Sequence, residues 1–447
     1  MRLLFVLPEY GSEVLGGIAT YYAHLLPALA RLGAHVHVCG PSSGGRGGSG
    51  HDSNGVTFIP VDDNNVASAS VQFSRLIPLP EVRHMIASAY AAWETCMRGD
   101  GFDVVETTDY GLTFAPWLAT AGGPPVIVQL HGSSGQVYRH DPIFGQEFSG
   151  LVTRLFEDAL LGRADELQAY GLPNAMEWSG RLSRSVEHIW PAWRHDAVVG
   201  KPPRTDLDLP RCGLVIGRIQ NWKGPDVLCE ACALLGARAP KILWVGRSNP
   251  YRSLNQSMEA HLAAAYPEQW GSTVRPIGEF PRESVAGMLN AAKFFVVPSK
   301  WDTFNLAAVE AMWAGKTVIC SEGAGAAGLI EHGRNGFRFP SGDAARLAGL
   351  IETVAAMKPN ELKTIGARAR ATVVNTLATD AIPTMRLNHY AKVAARGSGR
   401  AANLWDDRLD IADNRSSELA FLEQLPYRPL LAHVVKRTWS KLGKVLG

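Results

Sequence analysis

Two series of short apolar runs, each trailed by a helical pattern, flank a proline-rich break at 201–210, and this layout restricts the fold more than any other feature of the 447 residues. The first series has runs at 3–7, 35–39, 56–61, 103–106 and 126–130, with helical periodicity over 18–31, 82–97 and 151–161. The second has runs at 213–216, 242–245, 274–277, 294–297 and 318–321. Continuous apolar runs mark strands buried on both faces, and strands that alternate with helices build parallel sheets wound on both sides. The chain is therefore expected to be α/β. Two Rossmann-like domains are joined by an extended 201–210 linker, with a ligand cleft between them outside the carboxyl ends of the strands. Pro27 should kink the first helix. The glycine-rich, polar segment 42–53 reads as a mobile loop rather than a phosphate cradle, because no helix follows its glycines.

Composition narrows the class. Hydrophobic residues make up 46% and charged residues 19%, as in soluble globular proteins. A net charge of +2 gives no case for nucleic acid as a partner. No stretch is long and apolar enough to span a bilayer, and the apolar run at 3–7 is too short for a signal peptide. The six cysteines are scattered, and the pair Cys229 and Cys232 falls inside a helical pattern with no second pair nearby. Buried small residues fit that setting better than a zinc or redox site, so a reducing, cytoplasmic location is expected.

The chemistry concentrates between Pro298 and Glu310. A buried strand, a short turn and a helix start follow one another, with Asp302 at the mouth of the turn and Glu310 two helical turns further on. The backbone N–H groups of 305–308 would open the helix and attract an anion. An anion between two carboxylates that seek hydroxyls describes a nucleotide-sugar: a diphosphate, a ribose and a hexose. A second candidate lies at Gly217-Arg218 and Lys223, after the first strand of the second series. Fixed cations there would stabilise the charge that builds on a departing diphosphate. Arg218 offers a planar fork and Lys223 a point charge.

With these residues in view, the chain resembles the retaining glycosyltransferases of GT-B architecture, in the family 4 group (glycosyl transferases group 1). That group carries a Glu, seven residues and a second Glu after a strand ending in Pro-Ser. Here the pattern is Asp302, seven residues, Glu310, so the first acid is one methylene shorter and reaches about 1.5 Å less far. The resemblance implies that Glu310 binds ribose hydroxyls and that Asp302 contacts the donor sugar and supports an oxocarbenium-like transition state. A competing reading makes Asp302 the cap of the following helix. Phe304, Asn305 and Leu306 are expected at the donor. Gly217, Arg218 and Lys223 match the family's Gly-Arg and Lys-Gly element, and the two cations are expected to replace a metal, so neither metal nor cofactor is expected. Gly16 and Gly17, before the first helix, correspond to a glycine pair near the donor phosphate and the acceptor. His131, followed by Gly132 after the strand at 126–130, reads as a sugar contact rather than a proton shuttle. Asp109 and Tyr110 are candidates for the acceptor side, and Phe280 or Arg282 for the edge of the base. Gly328 stands where family members often carry a Glu.

The implied organisation is a first domain at 1–200, the linker 201–210, a donor domain at 211–378, a helix at 379–395 crossing back to the first domain, and a tail at 396–447. In that tail Leu431, Val435, Trp439, Leu442 and Leu446 fall on one helical face, largely opposite Lys436, Arg437, Lys441 and Lys444. This basic amphipathic helix at 430–447 fits an anionic membrane surface and equally fits docking on the protein itself. The expected activity is transfer of a sugar, with retention, from a nucleoside-diphosphate sugar to a glycan or lipid-linked glycan. A nucleotide-sugar epimerase of the same fold and a non-catalytic binding protein are the alternatives.

Overall fold

A computed structural model of the chain describes residues 1–10, 16–41, 50–51, 55–141, 148–193, 208–251 and 256–404, together with Leu431, Val434, Val435, Thr438 and Trp439. Most of the 42–53 loop, the linker as far as 207 and most of the 430–447 helix lie outside the described residues.

The first sheet has eight strands: β1 (Arg2–Val6), β2 (His35–Pro41), β3 (Gly50–His51), β4 (Val56–Val61), β5 (Val104–Thr108), β6 (Val126–Leu130), β7 (Glu166–Ala169) and β8 (Glu187–His188). Their order is β3-β4-β2-β1-β5-β6-β7-β8, parallel throughout except where β3 pairs antiparallel with β4. In the second half come β9 (Gly213–Ile216), β10 (Ile242–Val245), the small antiparallel pair β11 (Pro250–Tyr251) and β12 (Gln256–Ser257), β13 (Val274–Pro276), β14 (Phe294–Val297), β15 (Val318–Ser321) and β16 (Phe337–Phe339). The second sheet is parallel, in the order β13-β10-β9-β14-β15-β16. Every apolar run of the sequence is a strand. Of the strands without such a run, β3, β8 and β16 close a sheet edge, β7 lies one strand in and carries the buried Gln168, and β11 and β12 form the small separate pair. The helix Gly17–Arg31 runs unbroken through Pro27, which is buried and forgoes one backbone hydrogen bond.

Three apolar clusters fill the molecule. One packs the helix Pro80–Thr95 on an outer face of the first sheet, and one packs the helices Pro225–Leu235 and Ala344–Ala356 on the second. The third is continuous across both domains, from Phe5, Tyr21 and Tyr170 to Phe304, Val309 and Ala324. The two sheets therefore share an apolar floor where their carboxyl ends meet.

The helix Ala381–Arg396 is fixed to the first sheet by a sealed polar cluster. Arg386 is 1% exposed and donates to Glu106 Oε2 at 2.7 Å, to Gln129 Oε1 at 2.8 Å and to the Gln168 side chain. The Tyr390 hydroxyl donates to Glu106 Oε2 at 2.6 Å, and the Tyr22 hydroxyl to Glu106 Oε1 at 2.8 Å. Beyond this helix, Arg400 pairs with Asp165, and the Gly399 N–H reaches Asp165 Oδ1 at 2.7 Å. The Leu404 N–H donates to the Ala119 carbonyl at 2.7 Å, so residues 399–404 are strapped to the first domain. Breaking a buried pair from one side leaves an uncompensated charge. Arg386→Met should lower the unfolding free energy by about 3–5 kcal/mol in urea titration, and Glu106→Gln in the same chain should recover much of the loss. A single variant as stable as the parent would show that the pair carries no such load.

Candidate active site

The donor-side geometry begins with β14, whose four residues are all buried. The chain leaves this strand through Pro298 and Ser299 and re-enters a helix at Leu306–Trp313. Asn305 caps that helix. It holds a left-handed backbone, φ 79°, which asparagine tolerates better than most residues, and its Oδ1 accepts from the Ala308 N–H at 3.0 Å. Asp302 is therefore not the cap, and the competing reading of that residue is corrected. Its Oδ2 accepts from Lys223 Nζ at 2.5 Å and from Asn305 Nδ2 at 2.9 Å. One asparagine thus terminates the helix with its oxygen and steers the acid with its nitrogen. The Ala308 N–H is spent on Asn305, which narrows the expected anion site. Leu306 and Ala307 open the helix with no carbonyl one turn earlier to bind.

The segment 302–304 is tied to the chain after β15. The Asp302 N–H donates to the Gly323 carbonyl at 2.8 Å, Gly325 to Asp302 at 3.2 Å, and Ala326 to Phe304 at 2.7 Å. Lys223 arrives on the turn Asn221–Lys223, which follows β9. This turn lies hard against the exit of β14: a Cβ at Gly224 would stand 2.0 Å from the Pro298 carbonyl oxygen. Lys300, which sequence reasoning missed, fastens the same junction through Asn221 Oδ1 at 2.7 Å and Asp226 Oδ2 at 2.8 Å. A small cavity between these elements is lined by Ile216, Gly217, Lys223, Pro298, Ser299 and Asn305. The Gly217 carbonyl is held by Trp244 Nε1 at 2.8 Å. Arg218 is exposed at the rim and, among the described residues, has no ion-pair partner. Glu310 is partly exposed. Burial raises its carboxyl above the ordinary range while the nearby charge of Arg282 opposes that rise. The structure thus brings Lys223, Asp302 and Asn305 into contact, with Arg282 close enough to act on Glu310.

Phe304 is 1% exposed, packs edge-on against Tyr170 and Trp190 of the first domain and gives its carbonyl to the Ala326 N–H, so its ring belongs to the contact between the domains. Gly328 also has a physical reason. A Cβ there would stand 2.9 Å from Trp190 Cη2, so the space of the family's glutamate is taken by an indole from the first domain.

In the first domain His131 follows β6. Its Nδ1 lies 3.0 Å from the Tyr170 hydroxyl and its Nε2 3.4 Å from the Tyr22 hydroxyl. Tyr22 spends its proton on Glu106, so it can only accept from His131, which makes Nε2 the protonated nitrogen and leaves Nδ1 to accept from Tyr170. Burial, with the positive charge of Arg386, pushes the imidazole down to about 3, so it is neutral near pH 7. Asp109 is fully buried and accepts from the backbone N–H groups of His131 at 2.7 Å and Gly132 at 3.2 Å. Burial pushes its carboxyl up to about 7, against those N–H groups. The expectation that Asp109 contacts an acceptor is corrected: both of its oxygens organise the His131–Gly132 turn from inside. Tyr110 is 47% exposed, on the surface beside it. Gly16 caps the helix Gly17–Arg31, but that helix start is already occupied. Glu9 Oε1 accepts the Ala19 N–H at 3.1 Å, and a Cβ on Gly16 would collide with the Glu9 carboxylate.

The two domains touch around the Asp302 loop. Thr303 Oγ1 donates to the His131 carbonyl at 3.0 Å, and Asn221 Nδ2 reaches Asp141 Oδ1 at 3.5 Å. Trp301 stacks on His140 with ring centres 4.4 Å apart and planes at 9°. Sequence reasoning missed Trp301 and Thr303 as contact residues, although both adjoin Asp302.

The model of the glycosyl transferases group 1 matches residues 211–356, and that of the glycosyl transferase 4-like domain matches 16–171. Two similar proteins are D-inositol 3-phosphate glycosyltransferases 1 and 2 of Catenulispora acidiphila. The first is 32% identical over 253 residues, covering 53% of this chain and 60% of the relative, so the chain spans less than two thirds of its length. The second is 26% identical over 390 residues, covering 81% and 87%. Among solved structures, sucrose-phosphate synthase of Thermosynechococcus elongatus aligns with a TM-score of 0.67 at 21% identity, over 89% of this chain and all of that one. Anabaena HepE in complex with UDP-glucose aligns at 0.58 and 16%, over 89% and 100%. Both share the fold, two parallel α/β domains in the GT-B arrangement. With a family model on each domain and glycosyltransferases among its relatives, the chain belongs to the group 1 glycosyl transferases and is a glycosyltransferase.

Proposed function

We propose that the protein transfers a sugar from a nucleoside-diphosphate sugar to an acceptor hydroxyl, with retention at the anomeric carbon and with side-chain cations in place of a metal. The observation that carries this reading is the Lys223–Asp302 contact at 2.5 Å, set where the turn after β9 meets the open start of the helix Leu306–Trp313. A diphosphate laid on the Leu306 and Ala307 N–H groups would meet Lys223 on one side and Arg218 at the rim. An ammonium has three donors, so Lys223 can hold Asp302 and a phosphate oxygen together. Asp302 then faces the sugar and Glu310 the ribose. A UDP-glucose complex of the HepE neighbour supports a donor of this class, and the names of the relatives support a phosphorylated polyol as one acceptor to try beside glycans and lipid-linked glycans.

Retention follows a front-face route. The leaving phosphate takes the acceptor proton as the glycosidic bond breaks, and the protein contributes position and charge rather than a strong base. The neutral, doubly engaged His131 fits a contact that shapes the sugar pocket. An acceptor-free epimerase would need a free acid and base beside the sugar, but Asp109 is spent on the His131–Gly132 turn and Glu106 on Arg386.

The defining experiment is a thermal-shift panel of UDP-, GDP- and ADP-sugars, followed by product analysis with D-inositol 3-phosphate and glycan acceptors. Lack of stabilisation by every nucleotide-sugar would sink the donor reading. Lys223→Ala should lower turnover by roughly 10²-fold, the scale of losing an electrostatic stabiliser; an unchanged rate removes Lys223 from the chemistry. Asp302→Asn should cost turnover while leaving helix capping to Asn305, and Asp302→Glu measures what the missing methylene is worth. For the tail, Leu431, Val435 and Trp439 are exposed, which favours attachment of 430–447 to an anionic membrane. Full-length protein should co-sediment with phosphatidylserine liposomes more strongly than a chain ending at Pro429, and equal sedimentation would discard the idea.

A further inference from the structure

The loop that carries Asp302 meets the first domain through bare backbone. The contact point is Gly171, which follows Tyr170 and caps the helix Leu172–Leu182. A Cβ on Gly171 would stand 2.0 Å from the Thr303 carbonyl oxygen, 3.2 Å from the Thr303 carbonyl carbon and 3.4 Å from the Gly325 Cα. These three nearest atoms all belong to the second domain. Gly325 lies against the same oxygen, with an added Cβ that would stand 2.4 Å from it and 3.0 Å from the Gly171 Cα. Thr303 O thus packs against two neighbouring glycines, one from each domain. Gly132 completes the seam: its added Cβ would meet Thr303 Cγ2 at 3.1 Å and Trp301 Cη2 at 3.3 Å.

The conformation of Gly171 makes the point sharper. Its backbone is ordinary extended chain, φ −117° and ψ 127°, which any residue adopts without strain. Nothing within its own domain demands a glycine. Its missing side chain matters only to the approach of the second domain. We infer that Gly171 is a positioning residue for the sugar transfer: by lacking a Cβ it lets the 301–304 segment seat against the first domain, and any side chain there holds the cleft open while the donor site itself stays whole. The consequence runs through Thr303. Seated, its hydroxyl bonds the His131 carbonyl and so holds the loop that carries Asp302 against the first domain; unseated, Asp302 and Lys223 stay paired but lose the acceptor half of the site.

This inference rests on the proposed transfer from a nucleoside-diphosphate sugar, and its test separates the two. Gly171→Ala is made in the full chain. Small-angle X-ray scattering of parent and variant, without ligand, reads the approach of the domains, and calorimetry with the nucleotide chosen by the thermal-shift panel reads the donor site. Scattering of the variant should shift to a larger radius of gyration. Affinity for the nucleotide should stay within about twofold, because that site lies on the second domain, while turnover falls by roughly 10²-fold, the scale of a misplaced reacting group. Gly325→Ala, which disturbs the strap on the Asp302 loop itself, should lose nucleotide affinity as well. Should Gly171→Ala fail to fold, Thr303→Val removes the hydroxyl bond across the same seam without adding volume, and it should lower turnover with nucleotide affinity kept. Scattering and turnover equal to the parent's in whichever variant folds would overturn the inference. A parent that binds none of the nucleotide-sugars sinks the donor reading instead, and the scattering comparison still decides the seam.

Discussion

A guanidinium sealed against the first sheet holds the helix Ala381–Arg396 to the domain made first. Arg386 is reached by side chains from three adjacent strands, Glu106 on β5, Gln129 on β6 and Gln168 on β7. A charge buried this deeply is costly unless it is paired, and both terminal nitrogens of Arg386 are met while its Nε is left without a partner among the described residues. The cluster therefore specifies one seating for the helix Ala381–Arg396. It also reaches the cleft, since Tyr22 spans Glu106 and His131 and thereby decides which imidazole nitrogen carries the proton. The chain passes from the first domain to the second after 193 and returns near 377, and the two passages touch: the Trp193 N–H donates to the Leu377 carbonyl at 3.0 Å. One end of the second domain is thus tethered beside the first, while the Asp302 loop meets it elsewhere.

Charge at the donor side is balanced pair by pair. Lys223 faces Asp302, and Lys300 faces Asp226 with Asn221. Such pairing keeps two lysines beside a helix start, where a lone cation would oppose the dipole. It also means that the site does not present naked positive charge. On the proposed reading an incoming diphosphate would share Lys223 with Asp302, so binding would reorganise an existing contact instead of filling an empty one. The shorter acid fits this picture. Its carboxylate stays near its own backbone, within reach of Asn305 three residues on, where the amide restrains it.

Much of this was readable in the residues, and what was not has physical causes. The central strands were legible because burial on both faces demands an unbroken apolar run. The short edge strands β8 and β16 were not, and β7 was hidden because the polar Gln168 breaks its buried run. Asp302, Lys223 and Glu310 stood out because carboxylates and cations beside a buried strand are costly unless used. The capping of the helix by Asn305 rather than Asp302 was hidden, since both residue types cap well and only the left-handed turn at Asn305 separates them. Glu106, Gln129 and Gln168 were opaque for another reason. A polar residue inside an apolar run does not announce its partner, and the partner here lies over two hundred residues away at Arg386. Gly328 was seen only as a missing glutamate; its cause, the Trp190 indole, belongs to the other domain.

The character of the seam bears on how the enzyme turns over. The apolar cluster shared by the domains gives a broad, non-directional attraction that survives small displacements. A carbonyl packed against two glycine backbones does not, because close packing is lost within an ångström of separation. The floor of the cleft is therefore held by a force that tolerates motion, and the loop bearing Asp302 by one that does not. That combination lets the site fall out of register through a small opening, without parting the domains or breaking the buried Arg386 cluster. A transferase must release a spent nucleotide and a product after each cycle, and release often limits such enzymes more than bond-making does. A contact of small area and steep distance dependence, beside a tether that stays closed, meets both needs: sharp alignment while seated and little energy to undo it.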